Sequence, residues 1–184
     1  MADRNPDNGR NREIKIRRHL PVDVRSIEDL YPAAFPDEDL LPLVRELLRD
    51  GQPVLSLVAI ADRVLAGHVA FTMCGINKQP GELALMAPLA VAPDMQEQGI
   101  GSALVRDGLQ RLSTENVVQV HTLGDPAYYE RFGFRPEEGV APPYPIPGEW
   151  RIAWQSIRLR EGGSALRGEL SLPRFWLQPA LWAP

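Results

Sequence analysis

The stretch with the most chemical content is Leu89-Ala90-Val91-Ala92-Pro93-Asp94-Met95-Gln96-Glu97-Gln98-Gly99-Ile100-Gly101-Ser102. An apolar strand ends at Pro93, a polar turn follows, two glycines sit one residue apart, and a helix begins at once. The first N–H groups of a helix have no partner within it, and the macrodipole places partial positive charge there. Gly99 and Gly101 remove Cβ atoms that would hold a bulky anion away. Gln96, Glu97, Gln98, Gly99, Ile100, Gly101 and Ser102 therefore read as a backbone cup for phosphate that needs no lysine. Two other phosphate loops do not fit: no lysine follows Gly101, and Leu104 stands where G-x-G-x-x-G requires its third glycine.

A second group of chemically able residues surrounds Tyr128-Tyr129-Glu130-Arg131-Phe132-Gly133-Phe134. A tyrosine hydroxyl, with an ordinary pKa of about 10, stays protonated at neutral pH and can donate a proton. His68 and His121 have the pKa range of a general base, and Glu82 is the acidic residue nearest the strand before the cup. Each has a plainer reading, a satisfied structural histidine or a solvated turn residue, and water is the remaining proton acceptor. The single cysteine, Cys74, lacks a Cys-His-Asp spacing and reads as a small buried strand residue rather than an acyl carrier. Three scattered histidines and one cysteine make no metal site.

These residues need elements to hold them. Glu13 to His19 alternates as a half-buried strand. A helical region opens at Pro21-Val22-Asp23 and is expected to break at Pro32 and Pro36, and a second helix runs from Glu38 to Arg49, with Pro42 tolerable only in its first turn. Val54 to Ile60 and Val64 to Cys74 form a hairpin about Ala61-Asp62-Arg63, and Glu82 to Ala92 is a third apolar strand. Gly99 to Ser113 is a helix, Val117 to Thr122 a strand, and Asp125-Pro126 the cap and first residue of a short helix stopped by Gly133. A proline-rich loop follows, then strand-like segments at Trp150 to Leu159 and Leu166 to Leu172. The tail from Pro173 holds Phe175, Trp176, Leu181 and Trp182, which need cover from this domain or from a second copy.

Composition bounds the rest. The 184 residues are 44% hydrophobic and 24% charged, which permits a packed core and excludes a fully disordered chain. Met1 to Arg12 is polar and reads as a mobile tail, leaving residues 13–184 as one domain. No apolar run is long enough to cross a membrane. The net charge of −4 argues against a basic nucleic-acid surface, and one unpaired cysteine argues for a cytoplasmic location.

The pattern Gln96-x-x-Gly99-x-Gly101 after Leu89-x-Val91-x-Pro93 resembles the acetyl-CoA-binding motif of the GNAT superfamily of N-acetyltransferases. Tyr129-Glu130-Arg131-Phe132-Gly133-Phe134 resembles the Y-x-[KR]-x-G-F ending of the same core, and the combined block is most similar to the YhbS-like branch. The resemblance covers roughly residues 13–134. It implies an α/β acyl-CoA N-acyltransferase fold with a mixed, partly split sheet flanked by helices. It further implies that the pantetheine arm pairs with the backbone of Leu89, Ala90 and Val91, that an N–H near Leu89 or Val91 polarises the thioester carbonyl, and that Tyr129 protonates the leaving thiolate. The implied reaction is direct attack of a primary amine on acetyl-CoA. The acceptor and the base stay open, with the Glu137 to Trp150 loop, through Tyr144 and Trp150, as an expected acceptor-side lid. The alternative is a non-catalytic acyl-CoA-binding module with the same fold.

Overall fold

A computed structural model describes residues 13–160 and 165–182; the expected mobile tail at 1–12 lies outside the described residues. The first strand is only half-covered, whereas the two strands that follow it are buried along nearly their whole length on both faces. Strand β1 (Ile14–Arg18) lies beside β2 (Val54–Ala61), followed in space by β3 (Val64–Ile76) and β4 (Gln79–Val91). Asp62-Arg63 and Asn77-Lys78, all with positive φ, form the two tight turns between them. Two left-handed residues in succession match the twist of the flanking strands. The sequence reading caught the first turn and missed the second, so β4 begins at Gln79 rather than Glu82.

Beyond β4 the chain crosses over through helix α3 (Ile100–Thr114) and returns parallel to β4 as β5 (Gln119–Leu123). The sheet continues antiparallel through β8 (Trp154–Arg158) to the two-residue β6 (Arg135–Pro136). Two short strands, β7 (Val140–Ala141) and β9 (Gly168–Ser171), pair in parallel, and β9 also caps the far end of β3. Residues 148–153 form 3-10 turns, so the strand expected from Trp150 starts at Trp154.

Helix α1 (Val24–Ala34) runs through Pro32 instead of breaking there. The proline is exposed, forfeits one backbone bond, and the burial of Ile27, Leu30 and Tyr31 against the sheet outweighs that loss. Helix α2 (Leu41–Leu47) is shorter than expected, with Pro42 in its first turn. Helix α4 (Pro126–Tyr129) is capped by Asp125, whose Oδ1 accepts from the Ala127 N–H at 2.9 Å, and ends after a 3-10 turn at Gly133.

Two faces result. Helix α3 packs one face through Ile100, Leu104 and Leu112 against Leu57, Phe71 and Val120. The other face carries α1 and α2 and a cluster of Trp154, Trp176 and Trp182 around Leu43 and Leu85. The aromatic tail is thus covered by its own chain: Trp176 and Trp182 are each 3% exposed. The packing argument for a second copy lapses with it.

The sheet is split where it matters. Strands β4 and β5 pair only at Leu83, Ala84 and Leu85, opposite Gln119, Val120 and His121. Thr122 Oγ1 then donates to the Met86 carbonyl at 2.9 Å. Past that rung β4 shifts register against β3 at Ala87-Pro88, a cis peptide, and no described strand pairs with its β5-facing edge. The mixed, partly split, helix-flanked sheet expected from the sequence is the one observed.

Candidate active site

A cleft of about 940 Å3 passes through this split and is lined from both faces of the sheet. Along β4, successive backbone groups point to opposite edges. The Ala92 N–H donates to the Ala66 carbonyl of β3, so the Ala90 backbone points the same way and its side chain is buried. Leu89 and Val91 point their N–H and C=O groups into the split, and the Val91 carbonyl accepts from Gln96 Nε2 at 3.3 Å. Of the three strand residues named from the sequence, Leu89 and Val91 line the cleft and Ala90 faces the core.

At the start of α3 the first helical bond runs from the Ala103 N–H to the Gly99 carbonyl at 2.9 Å. The N–H groups of Ile100, Gly101 and Ser102 precede it and have no acceptor inside the helix. No side chain caps this end. Gln96, Glu97, Gly99, Ile100, Gly101 and Ser102 all line the cleft, whereas Gln98 turns its amide onto the Asp94 carbonyl at 3.1 Å and does not.

The two glycines serve different purposes. Gly99 sits at φ 82° with open space around a Cβ, so backbone conformation demands it. A Cβ on Gly101 would stand 2.5 Å from the Tyr128 hydroxyl oxygen. The close approach is that of a tyrosine, not only of an anion. Tyr128 leans over the cup with its hydroxyl bonded to Ser102 and the Arg131 guanidinium 4.5 Å from its ring centre. Burial raises its pKa, against the lowering pull of the Ser102 hydrogen bond.

Tyr129 lines the cleft one residue on, resting over Gly124 and against Phe134. Its hydroxyl is hydrogen-bonded to Thr122, the residue that ends the β4–β5 pairing. Burial pushes its pKa up to about 12, the Thr122 bond opposing. It is a protonated donor across the neutral range.

The foreseen bases are elsewhere. Glu82 is exposed and does not line the cleft. His68 is buried, held between the Tyr31 hydroxyl at 2.7 Å and Ser56 Oγ at 2.8 Å, which a neutral ring satisfies with one nitrogen accepting and one donating. Burial drives its pKa down to about 3. His121 is buried against Trp154, with Nε2 3.6 Å from Glu137 Oε2. Burial alone would raise the Glu137 carboxyl, but its contacts with His121 and Ser156 and the hydrogen bonds from Val140 N–H and Gly139 N–H hold it down at about 2; Gln119 Nε2 donates to the same carboxylate at 2.6 Å. This carboxylate pins the proline-rich loop, and neither Tyr144 nor Trp150 reaches the cleft. Cys74 is buried, its thiol pushed up to about 12, which removes it as a nucleophile. Among the described residues no three His, Cys, Asp or Glu side chains gather as a metal site.

Sequence reasoning missed the wall opposite the cup: Phe35, Glu38, Leu40 and Leu43 from the α1–α2 junction, and Trp176 and Leu181 from the tail. The crowding of aromatic residues after Pro173 was the one available signal.

A family model described as an acetyltransferase (GNAT) domain matches residues 54–136. The chain is 33% identical over 155 residues to the uncharacterized N-acetyltransferase YjhQ of Escherichia coli K12, covering 80% of this chain and 86% of that one. The chain belongs to the GNAT family of N-acetyltransferases. A solved structure of the family's YhbS from Escherichia coli, in complex with CoA, superposes with a TM-score of 0.80 at 31% identity, covering 90% of this chain and 92% of that one. A GNAT acetyltransferase from Brucella melitensis, in complex with acetyl-CoA, gives a TM-score of 0.73 at 27% identity, covering 89% and 98%. Among the described residues no helix is long and apolar enough to cross a membrane.

Proposed function

We propose that residues 13–184 act as one domain that transfers the acetyl group of acetyl-CoA to a primary amine by direct attack. The observation that carries this reading is the split between β4 and β5. It joins three unpaired N–H groups at the start of α3 to a protonated tyrosine through one continuous cleft. The N–H groups of Ile100, Gly101 and Ser102 suit a diphosphate, and Leu89 and Val91 offer an open strand edge to the amide-bearing pantetheine arm. CoA and acetyl-CoA in the two solved relatives support acetyl-CoA as the donor substrate.

In the reaction, the amine nitrogen bonds to the acetyl carbon and the carbon–sulfur bond breaks. A backbone N–H of Leu89 or Val91 polarises the thioester oxygen. Tyr129 gives its hydroxyl proton to the departing thiolate, and the proton lost by the amine leaves through water on the open side of the cleft. Release of free thiol from acetyl-CoA in the presence of an amine panel tests this directly, and absence of amine-dependent release overturns it. The second reading, a non-catalytic acyl-CoA-binding module, draws on one observation: Glu82, His68 and His121 all lie off the cleft. CoA binding in calorimetry without thiol release would favour it. The single unpaired, buried cysteine accords with a reducing cytoplasm.

A further inference from the structure

The face of the cleft opposite the cup is walled by Phe35, Leu40, Leu43, Trp176 and Leu181. Among the described lining residues of that face, Glu38 is the only one with a charge. The wall is fixed in place. Trp176 Nε1 donates to Thr72 Oγ1 of β3 at 3.0 Å, and the Trp176 carbonyl accepts from Trp182 Nε1 at 2.9 Å. The Trp176 and Trp182 rings meet edge to face, with centroids 6.2 Å apart. Phe35 is braced by Tyr31, whose ring lies stacked at 6.1 Å. Glu38 sits exposed on the turn that begins at Phe35, and no described residue pairs with its carboxylate.

We propose that the acceptor is a primary amine carried on a compact apolar body, an arylalkylamine in chemical class, with Glu38 as its specificity residue. The proposal rests on the transferase reading above. Hydroxyl-rich or polycationic amines would leave polar groups unpaired against this wall, which is costly. An aryl or branched alkyl group loses water against Trp176 and Leu181 and gains from it. The carboxylate draws the incoming ammonium to the rim, while the apolar surroundings favour the neutral amine that the attack requires. The atoms balance. The nitrogen gives up two protons to water, one as the ammonium becomes the neutral amine and one as the N–C bond forms and the C–S bond breaks, and Tyr129 hands its proton to sulfur and is re-protonated from solvent.

The test is thiol-release kinetics with acetyl-CoA and three probes: 2-phenylethylamine, ethanolamine and a polyhydroxylated aminosugar. Acetyl-CoA binding is followed in parallel by calorimetry. We expect kcat/KM for 2-phenylethylamine to exceed that for ethanolamine by roughly 10- to 100-fold, the worth of burying an aryl group. Glu38→Gln and Leu181→Ala, both at accessible positions, should each raise KM for 2-phenylethylamine about tenfold with the KM for acetyl-CoA unmoved. Preference for ethanolamine or the aminosugar, with acetyl-CoA binding intact, overturns the acceptor proposal and leaves the transferase reading standing. Binding without transfer to any probe overturns both in favour of the non-catalytic module. Failure to bind acetyl-CoA removes the ground beneath either.

Discussion

The two ends of the cleft are built in opposite ways. The cup takes its chemistry from backbone N–H groups within one short stretch, Leu89 to Ser102, and its side chains mostly keep out of the way. The opposite wall takes its chemistry from side chains, and these come from the α1–α2 junction and the tail after Pro173, brought together only by the fold. A backbone site can hold one fixed ligand group while its sequence drifts, provided the glycines and the turn persist. A side-chain wall changes with every substitution. The first arrangement suits a donor shared across a family, the second an acceptor that differs between members.

Breaking the cup should produce the largest effect. Gly101→Glu forces Tyr128 aside and sets a carboxylate where the proposed diphosphate site lies. CoA affinity should fall by about 100-fold or more in calorimetry, with the fold retained by circular dichroism. Retained affinity would show that the anion does not sit on these N–H groups. Tyr129→Phe acts between the two ends. It should lower kcat by roughly 10²-fold while the CoA dissociation constant stays within about twofold. Because burial holds the Tyr129 pKa near 12, the wild-type rate should show no fall from this group between pH 7 and 10. A falling limb near 10 that vanishes in Tyr129→Phe would contradict that burial.

The wall's support is sensitive to acid. His68 is held neutral in the fold at about 3, below its ordinary 6.5. At pH above 6.5 neither the folded nor the unfolded state protonates it, so its contribution is intact. As pH falls from 6.5 towards 3, the unfolded chain binds the proton first and stability is lost, of the order of 5 kcal/mol in all. Urea midpoints measured between pH 7 and 4 should show the decline, and His68→Gln should flatten it. A smaller effect belongs to Gly99, whose φ of 82° has room for a methyl group. Gly99→Ala should cost about 1 kcal/mol in thermal unfolding and leave CoA binding measurable. The smallest is at Cys74, which should resist thiol reagents in the native state over hours.

What the sequence revealed follows the same division. The cup, the strand before it and Tyr129 were legible because glycine spacing, a proline and a capping aspartate act over a few residues. Even there the side of β4 that Ala90 faces, and the lean of Tyr128 over Gly101, depend on pairing with β3 and packing with α4. Pro32 misled because local propensity is weak against burial of Ile27 and Tyr31. The lid was assigned to the proline-rich loop because it was long and irregular, whereas Glu137 ties that loop down and the tail supplies the wall. Glu38 carried no local signal at all: one acidic residue among many becomes notable only when the fold sets it against five apolar neighbours.

The return of Trp176 and Leu181 across the sheet also sets an order of assembly. As the polypeptide leaves the ribosome, the strands and the glycine-marked helix emerge well before the tryptophans that complete the far side. A nascent chain stalled short of Pro173 would already carry the residues of the cup and Glu38, yet lack Trp176 and Leu181, which close the far wall.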